Sequence, residues 1–298
     1  LYQLLMNVLE GGTLVLERSF AFPAQIVKRV QEEEATVFPG VPTVYATLLS
    51  MRRGMEFELP SVRRVTNTAA ALPATFHAEL ARIFPNALVF AMYGLTECKR
   101  VSYLEPELLA EKPTSMGRAI PGTETMVLRE DMTPVEPGET GVLYVRGPHV
   151  MVGYWNKPEQ TAEMIVEGPL PGEKMLCAQD HFMVDEDGFL YFVGRSDDII
   201  KTRGEKVSPI EVENAIFDIE GVKEAAVIGV ADELLGEAIK AFVVLDEGAE
   251  LTEQEIIAAC RTRLENFMVP ASVEFRAELP TTATGKVRRK SLEGPAEV

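Results

Sequence analysis

Residues Gly188–Glu213, GFLYFVGRSDDIIKTRGEKVSPIEVE, change character twice within one short run. The first part, GFLYFVG, is a run of β-forming residues between glycines. DIIKTRG reads as a short strand entering a turn. SPIEVENAIFDI then starts a helix: Ser208 takes the cap, Pro209 the first helical position, and Glu211 falls three residues after the cap, ahead of apolar residues at helical spacing. Between the two halves lies RSDDIIK. Adjacent acids there suit a plain solvated connection, and they equally suit a hinge that stays wet while the flanking units rotate.

Downstream of this boundary, VKEAAVIGVAD, IKAFVVLD and ASVEFRAEL read as strands. LTEQEIIAACRTRLENF reads as a helix capped by Thr252. Residues 196–298 are therefore expected to form a small α+β domain. Upstream, residues 115–195 carry glycine or proline every few positions. The short β runs TETMVLRE, GVLYVRG, HVMVGYW and GFLYFVG lie between them, with a turn at DEDG. That pattern predicts a small antiparallel sheet or barrel. Residues 1–114 open with a helix-like segment that meets a turn at Gly11 and Gly12. Strand patterns (TLVLE, ATVFPGVP, RRVTNTAA, ALVFAMYG) then alternate with helical ones (PAQIVKRVQEEE, PATFHAELARIF). Such alternation predicts a parallel α/β sheet, whose ligands sit at the carboxyl ends of strands. AMYGLTEC follows such a strand.

The chain of 298 residues is 46% hydrophobic and 25% charged, an ordinary globular composition. Its net charge of −17 argues against nucleic acid and anionic membrane surfaces as partners. An anionic ligand would need a local pocket of cations. Cys98, Cys177 and Cys260 lie far apart without metal-ligand spacing, which fits reduced thiols in a cytoplasmic protein. No transmembrane segment or signal peptide is visible. The sequence opens directly in an amphipathic pattern at Leu1, as the middle of a domain would.

Three further stretches can carry chemistry. YGLTE, Tyr93 to Glu97, offers an aromatic face for a base, a Thr96 hydroxyl for phosphate oxygens and a Glu97 carboxylate for a hard cation. It is equally compatible with an ordinary strand-end turn. In AQDHFMVDEDGFLYFVGR, a hairpin can bring Asp180 beside Arg195. The result is either a structural ion pair or a carboxylate ready for the vicinal hydroxyls of a ribose. In PTTATGKVRRK, Lys286 follows Thr284 and Gly285 on a permissive loop, as either a surface tail or an arm that delivers one charge to a distant site. His77, His149 and His181 are scattered, so no Ser/His/Asp triad is formed.

YGLTE, GYWNKPEQT, Gly188–Glu213 and PTTATGKVRRK, in this order, resemble the adenylate-forming superfamily of acyl- and aryl-CoA synthetases, peptide-synthetase adenylation domains and luciferases. The resemblance runs from about residue 1 to about residue 292 and is most specific over Gly188–Glu213. It implies the C-terminal part of the family's large domain, made of a parallel α/β sheet and a β-barrel-like subdomain, followed by a mobile α+β domain. It also implies a two-step reaction. A carboxylate attacks the α-phosphate of ATP to give an acyl-adenylate and pyrophosphate, and the thiol of CoA then displaces AMP. The expected ligands are a small carboxylic acid, ATP, Mg2+ and CoA, and a homodimer is compatible with it.

Carried over by position, Tyr93 resembles the adenine-stacking residue, with Gly94 beside it in the nucleotide loop. Thr96 resembles the phosphate contact and Glu97 the magnesium ligand. Asp180 and Arg195 resemble the ribose binders, and Asp197 the hinge. Lys286 resembles the lysine that bridges carboxylate and phosphate. Lys201 and Gly204 match the face turned to the site for the thiol step. Two departures stand out. Ala178 and Gln179 replace the usual Thr-Gly before the ribose aspartate, and Thr68 and Ala69 stand where many members carry a Gly-Gly pair. The family's phosphate loop would precede residue 1, so the resemblance implies a piece of a longer enzyme, inactive in adenylation by itself. Val41, Tyr45 and Ala69 are candidates for the acyl pocket. A carrier-protein thiol as acceptor, or a non-catalytic nucleotide-binding homologue, are the alternatives.

Overall fold

The computed structural model describes residues 2–68, 72–73, 75–232, 234–282 and 287–292. The first unit opens with helices α1 (Tyr2–Leu9) and α2 (Pro23–Glu32). Strand β1 (Val37–Gly40), helix α3 (Pro42–Gly54), β2 (Arg64–Asn67), helix α4 (Phe76–Ile83) and β3 (Leu88–Tyr93) follow. β1, β2 and β3 pair in parallel, as strand–helix alternation requires, and two short antiparallel strands, β4 (Ser102–Tyr103) and β5 (Arg118–Ala119), extend the sheet beyond β3. Helices α2, α3 and α4 each contribute a buried face to this unit's core, with Leu48, Leu80 and Ile83 fully enclosed, whereas Leu5, Val8 and Leu9 of α1 are exposed.

The second unit is antiparallel. β6 (Glu124–Leu128), β7 (Thr140–Arg146), the short helix α5 (Pro158–Met164), β8 (Ile165–Glu167), β9 (Lys174–Val184) and β10 (Leu190–Arg195) follow in the chain. Their sheet runs β10-β9-β7-β6, with β8 on β9. Along β7 every second residue is buried, the signature of a sheet with one face on a core. The turn at 185–188 closes the β9–β10 hairpin. Asp185 anchors it by accepting the Phe189 amide at 2.9 Å and the Lys112 ammonium at 2.7 Å.

The third unit begins with the hairpin β11 (Ile200–Thr202) and β12 (Glu205–Val207). Helix α6 (Pro209–Phe217), β13 (Val222–Asp232), β14 (Gly236–Leu245), helix α7 (Glu253–Arg261) and β15 (Ser272–Phe275) complete it. The Ser208 hydroxyl accepts the Glu211 amide at 3.4 Å, and Thr252 with Glu255 forms a reciprocal capping box, so both cap signals in the sequence act as read. This unit has its own core, with Val212, Ile216, Ala241 and Ile256 at its centre.

Three local expectations fail. TLVLE forms no strand: no strand pairs with it among the described residues, and Leu16 is exposed. HVMVGYW alternates like a strand but is a loop. Gly147 and Asn156 near its ends take positive φ, and the Met151 amide bonds to the Glu97 carbonyl at 2.7 Å instead of a ladder. Helix α7 ends at Arg261, short of the apolar pattern that runs on to Phe267. Conversely, α5 follows a proline at its first position and was not anticipated from GYWNKPEQT.

Candidate active site

A cavity of about 550 Å³ opens where the end of β3 meets β9, β10 and α5. The chain direction explains its position. β3 ends at Tyr93, and the loop after it leaves the carboxyl edge of the parallel sheet. Gly94 is required there: a Cβ at this position would lie 1.9 Å from the Lys99 carbonyl oxygen. The loop therefore folds back on itself, with the Lys99 amide on the Leu95 carbonyl at 2.7 Å and the Val101 amide on the Tyr93 carbonyl at 3.0 Å. This closure turns Thr96 and Glu97 to the cavity wall.

The opposite wall comes from the β9–β10 hairpin. Its register sets Arg195 directly across from Asp180, and Arg195 Nε lies 3.7 Å from Asp180 Oδ1. The hairpin is thus the one the sequence predicted, and the two side chains meet. Asp180 is 4% exposed. Its second oxygen accepts the Tyr93 hydroxyl at 2.5 Å, a bond across 87 residues of sequence. Burial, followed by the charge of Asp180, pushes the Tyr93 phenol far above its ordinary range, so it stays a neutral donor. The Tyr93 ring is wedged edge-on to Phe182 at 4.7 Å and lies over Phe192 at 6.2 Å. Tyr93 is accordingly a rigid part of the wall. Gln179, beside Asp180, takes φ +55° and its side chain lines the cavity; its carbonyl accepts the Ser196 amide at 2.9 Å. A glutamine therefore occupies a left-handed position that favours glycine, and the Asp180–Arg195 register survives it.

Tyr154, in the GYWNKPEQT loop, donates its hydroxyl to Glu97 Oε1. Burial and this carboxylate push the Tyr154 phenol up to about 12. Gln160 and Glu163 on α5 also line the cavity. The sequence reading assigned none of these three a role. Tyr154 and Glu97 stand 57 residues apart, and no local periodicity connects them.

Six of the singled-out residues (Tyr93, Gly94, Thr96, Glu97, Asp180 and Arg195) share this cavity. Asp197 lies beside it, exposed, with Oδ1 3.5 Å from Arg195 Nε. Lys201 and Gly204 do not line it; they sit exposed on the β11–β12 hairpin, with Gly204 in the turn at φ +84°. Lys286 and Ala69 lie outside the described residues. Tyr45 is a core residue and no pocket wall: it is fully buried and donates its hydroxyl to the Thr66 carbonyl at 2.8 Å. Val41 caps α3 and is not on the cavity either. Among the described residues no cluster of three or more His, Cys, Asp or Glu is placed to hold a metal, and no helix is long and apolar enough to cross a membrane.

Comparison with known proteins agrees with this arrangement. Residues 1–155 match the AMP-binding enzyme family, and residues 211–286 match the AMP-binding enzyme C-terminal domain. A long-chain-fatty-acid–CoA ligase of Bacillus subtilis (strain 168) is 38% identical over 277 residues, 92% of this chain and 48% of the relative. A feruloyl-CoA synthase of an Amycolatopsis species is 38% identical over 285 residues, 95% of this chain and 56% of the relative. The structure of o-succinylbenzoate CoA synthetase from Bacillus subtilis, in complex with its acyl-adenylate intermediate, superposes with a TM-score of 0.83 at 28% identity. That match covers 98% of this chain and 58% of the other. The chain spans about half the length of the curated relatives it matches. On the family matches and these identities, the chain belongs to the AMP-binding enzyme family of adenylate-forming enzymes.

Proposed function

We propose that the protein carrying this chain is an AMP-forming acid–thiol ligase, which activates a carboxylic acid with ATP and transfers the acyl group to CoA. In the first step a carboxylate oxygen attacks the α-phosphorus of ATP, and the bond to pyrophosphate breaks. In the second the thiol sulfur attacks the acyl carbonyl and AMP departs. A carboxylate needs this route because its own leaving group would be oxide, whereas AMP leaves readily. The protein's work is to align two anions and to neutralise charge as it moves between them.

The observation that carries this reading is the convergence of Tyr93, Thr96, Glu97, Asp180 and Arg195, from three separate stretches of chain, on one cavity. We assign Asp180 to the ribose hydroxyls, with Arg195 holding it from the side. Tyr93 provides the wall for the adenine, and Gly94 lets the loop approach closely. Thr96 donates to phosphate oxygens. Glu97 and the Thr96 hydroxyl are hard oxygen donors, a set that fits Mg2+, which takes one or two protein oxygens together with substrate phosphates and water. Bound there, the ion would offset phosphate charge. Lys286 is assigned to the carboxylate–phosphate bridge, and Lys201 and Gly204 to the face used in the thiol step.

In this reading residues 1–114 and 115–195 are parts of one nucleotide-binding domain, and residues 196–298 turn about Asp197 between the two steps. A cytoplasmic setting goes with it: the three cysteines are free, and CoA is a thiol substrate.

The test is carboxylate-dependent exchange of pyrophosphate into ATP by the complete gene product. It is run against long-chain, aryl and short branched acids, with and without CoA, with acyl-CoA read by mass. Exchange with one acid class and formation of its acyl-CoA is the expected result. Exchange without acyl-CoA would move the acceptor to a carrier-protein thiol. Silence with every acid would remove the reading.

A further inference from the structure

Arg289 fastens the end of the chain to the interior of the third unit. It lies on a 3₁₀ turn, Arg289–Ser291, three positions after Lys286. Its two terminal nitrogens donate to both oxygens of Glu213 at 2.9 and 3.0 Å. Glu213, on α6, is 9% exposed and also accepts the Val227 amide of β13 at 2.8 Å. The remaining guanidinium nitrogen, Nε, lies 3.6 Å from Asp198, the residue after the candidate hinge. One side chain thus touches α6 and the connection between units, and sits on the segment that carries Lys286.

The rest of that segment is tied down close by. Val287 bridges Thr281, and the Arg288 amide bonds to the Pro280 carbonyl at 2.8 Å. Leu292 is 1% exposed against Ala226, Ile228 and Phe242. The described residues that flank Lys286 in the chain, 280–281 and 287–292, therefore form a closed base, and Arg289 fixes where it sits. Stability alone does not account for the choice of residues. A buried ion pair costs desolvation that its attraction roughly repays, and a well-packed apolar pair in its place is often as stable or more so. What a bidentate fork adds is one defined orientation.

We infer that Arg289 and Glu213 are positioning residues for Lys286 in the adenylate-forming step, and that Asp198 links this mount to the hinge. The inference rests on the proposed role of Lys286. It assigns a division of labour that a plain structural brace lacks: the mount matters when Lys286 must reach the reacting phosphate, and it is idle when a preformed acyl-adenylate meets the thiol.

The experiment uses the complete protein with Arg289→Lys, which keeps the charge and loses the fork. Glu213→Gln, which keeps the shape, is the second variant, and Lys286→Ala the reference. Pyrophosphate exchange and thioester formation from supplied acyl-adenylate are measured separately, with a melting temperature for each variant. Arg289→Lys is expected to slow exchange about 100-fold, the effect of misplacing a reacting group by about 1 Å, and to leave thioester formation within about threefold. Glu213→Gln should show the same split, to a smaller extent. Equal loss in both steps, or loss in neither, overturns the inference. If Lys286→Ala leaves exchange intact, the proposed role of Lys286 falls and the inference with it. If Lys286→Ala abolishes exchange while Arg289→Lys does not slow it, only the positioning role falls.

Discussion

Asp180 and Asp246 each face an arginine, and their surroundings differ. Asp180 is 4% exposed, meets Arg195 across a hairpin bulged between Phe192 and Gly194, and accepts the hydroxyl of a tyrosine from another sheet. Asp246 follows β14 and pairs with Arg53 on α3, whose side chain is 65% exposed. In the first pair the aspartate is bonded to a tyrosine packed among aromatic rings, although the Arg195 side chain is 56% exposed. The second is one of a few contacts between the third unit and the rest. Others are Lys206 with Glu130 at 3.6 Å, the Ser208 hydroxyl on the Val193 carbonyl, and the edge contact of Phe76 with Phe217 at 6.4 Å. The lesson lies in the contrast of fastenings. The aspartate proposed to meet the ribose is locked by burial. A unit with its own core is attached by contacts that each contribute little, and such boundaries permit relative motion.

That contrast can be attacked from both sides. The largest effect is expected at the connection. Asp197→Pro fixes φ at the proposed pivot, so thioester formation should drop about 100-fold, as for a misaligned reacting group, while exchange stays within about threefold. Comparable loss in both half-reactions would show that Asp197 does more than turn. A middle-sized effect belongs to the locked side. Tyr154→Phe removes the donor to Glu97, a bond to a charged group worth about 1.5 kcal/mol, so the Mg2+ concentration for half-maximal exchange should rise roughly tenfold. An unchanged Mg2+ requirement would separate Tyr154 from the proposed metal site. The smallest effect should come from Arg53→Ala. An exposed ion pair contributes about 0.2–1 kcal/mol, so both half-reactions should move by less than about fivefold, measured at matched salt. A larger change would mean that the boundary is a tight latch.

How much the sequence disclosed follows the range of the interactions. The start of α6 was legible because Ser208, Pro209 and Glu211 signal within one turn. That Asp180 and Arg195 share one hairpin was legible because the DEDG turn closes it locally, while their exact register depends on a bulge between Phe192 and Gly194. The hydroxyl of Tyr93 on Asp180 and that of Tyr154 on Glu97 were not, since each joins segments whose proximity is decided by how two sheets pack. HVMVGYW misled for a related reason: its alternation satisfies strand sterics, yet its Met151 amide is taken by the Glu97 carbonyl and its Tyr154 amide by the Thr161 hydroxyl. Tyr45, a candidate for the acyl pocket, is instead enclosed in the core, where its hydroxyl is taken by the Thr66 carbonyl.

The central claim is that the cavity beside Tyr93 binds a nucleotide through Asp180. Calorimetric titration of AMP into the protein and into its Asp180→Asn variant tests it without any turnover. The account predicts saturable binding that weakens about thirtyfold on substitution, the equivalent of about 2 kcal/mol for a charge-assisted hydrogen bond. Equal affinity in the two proteins would contradict it.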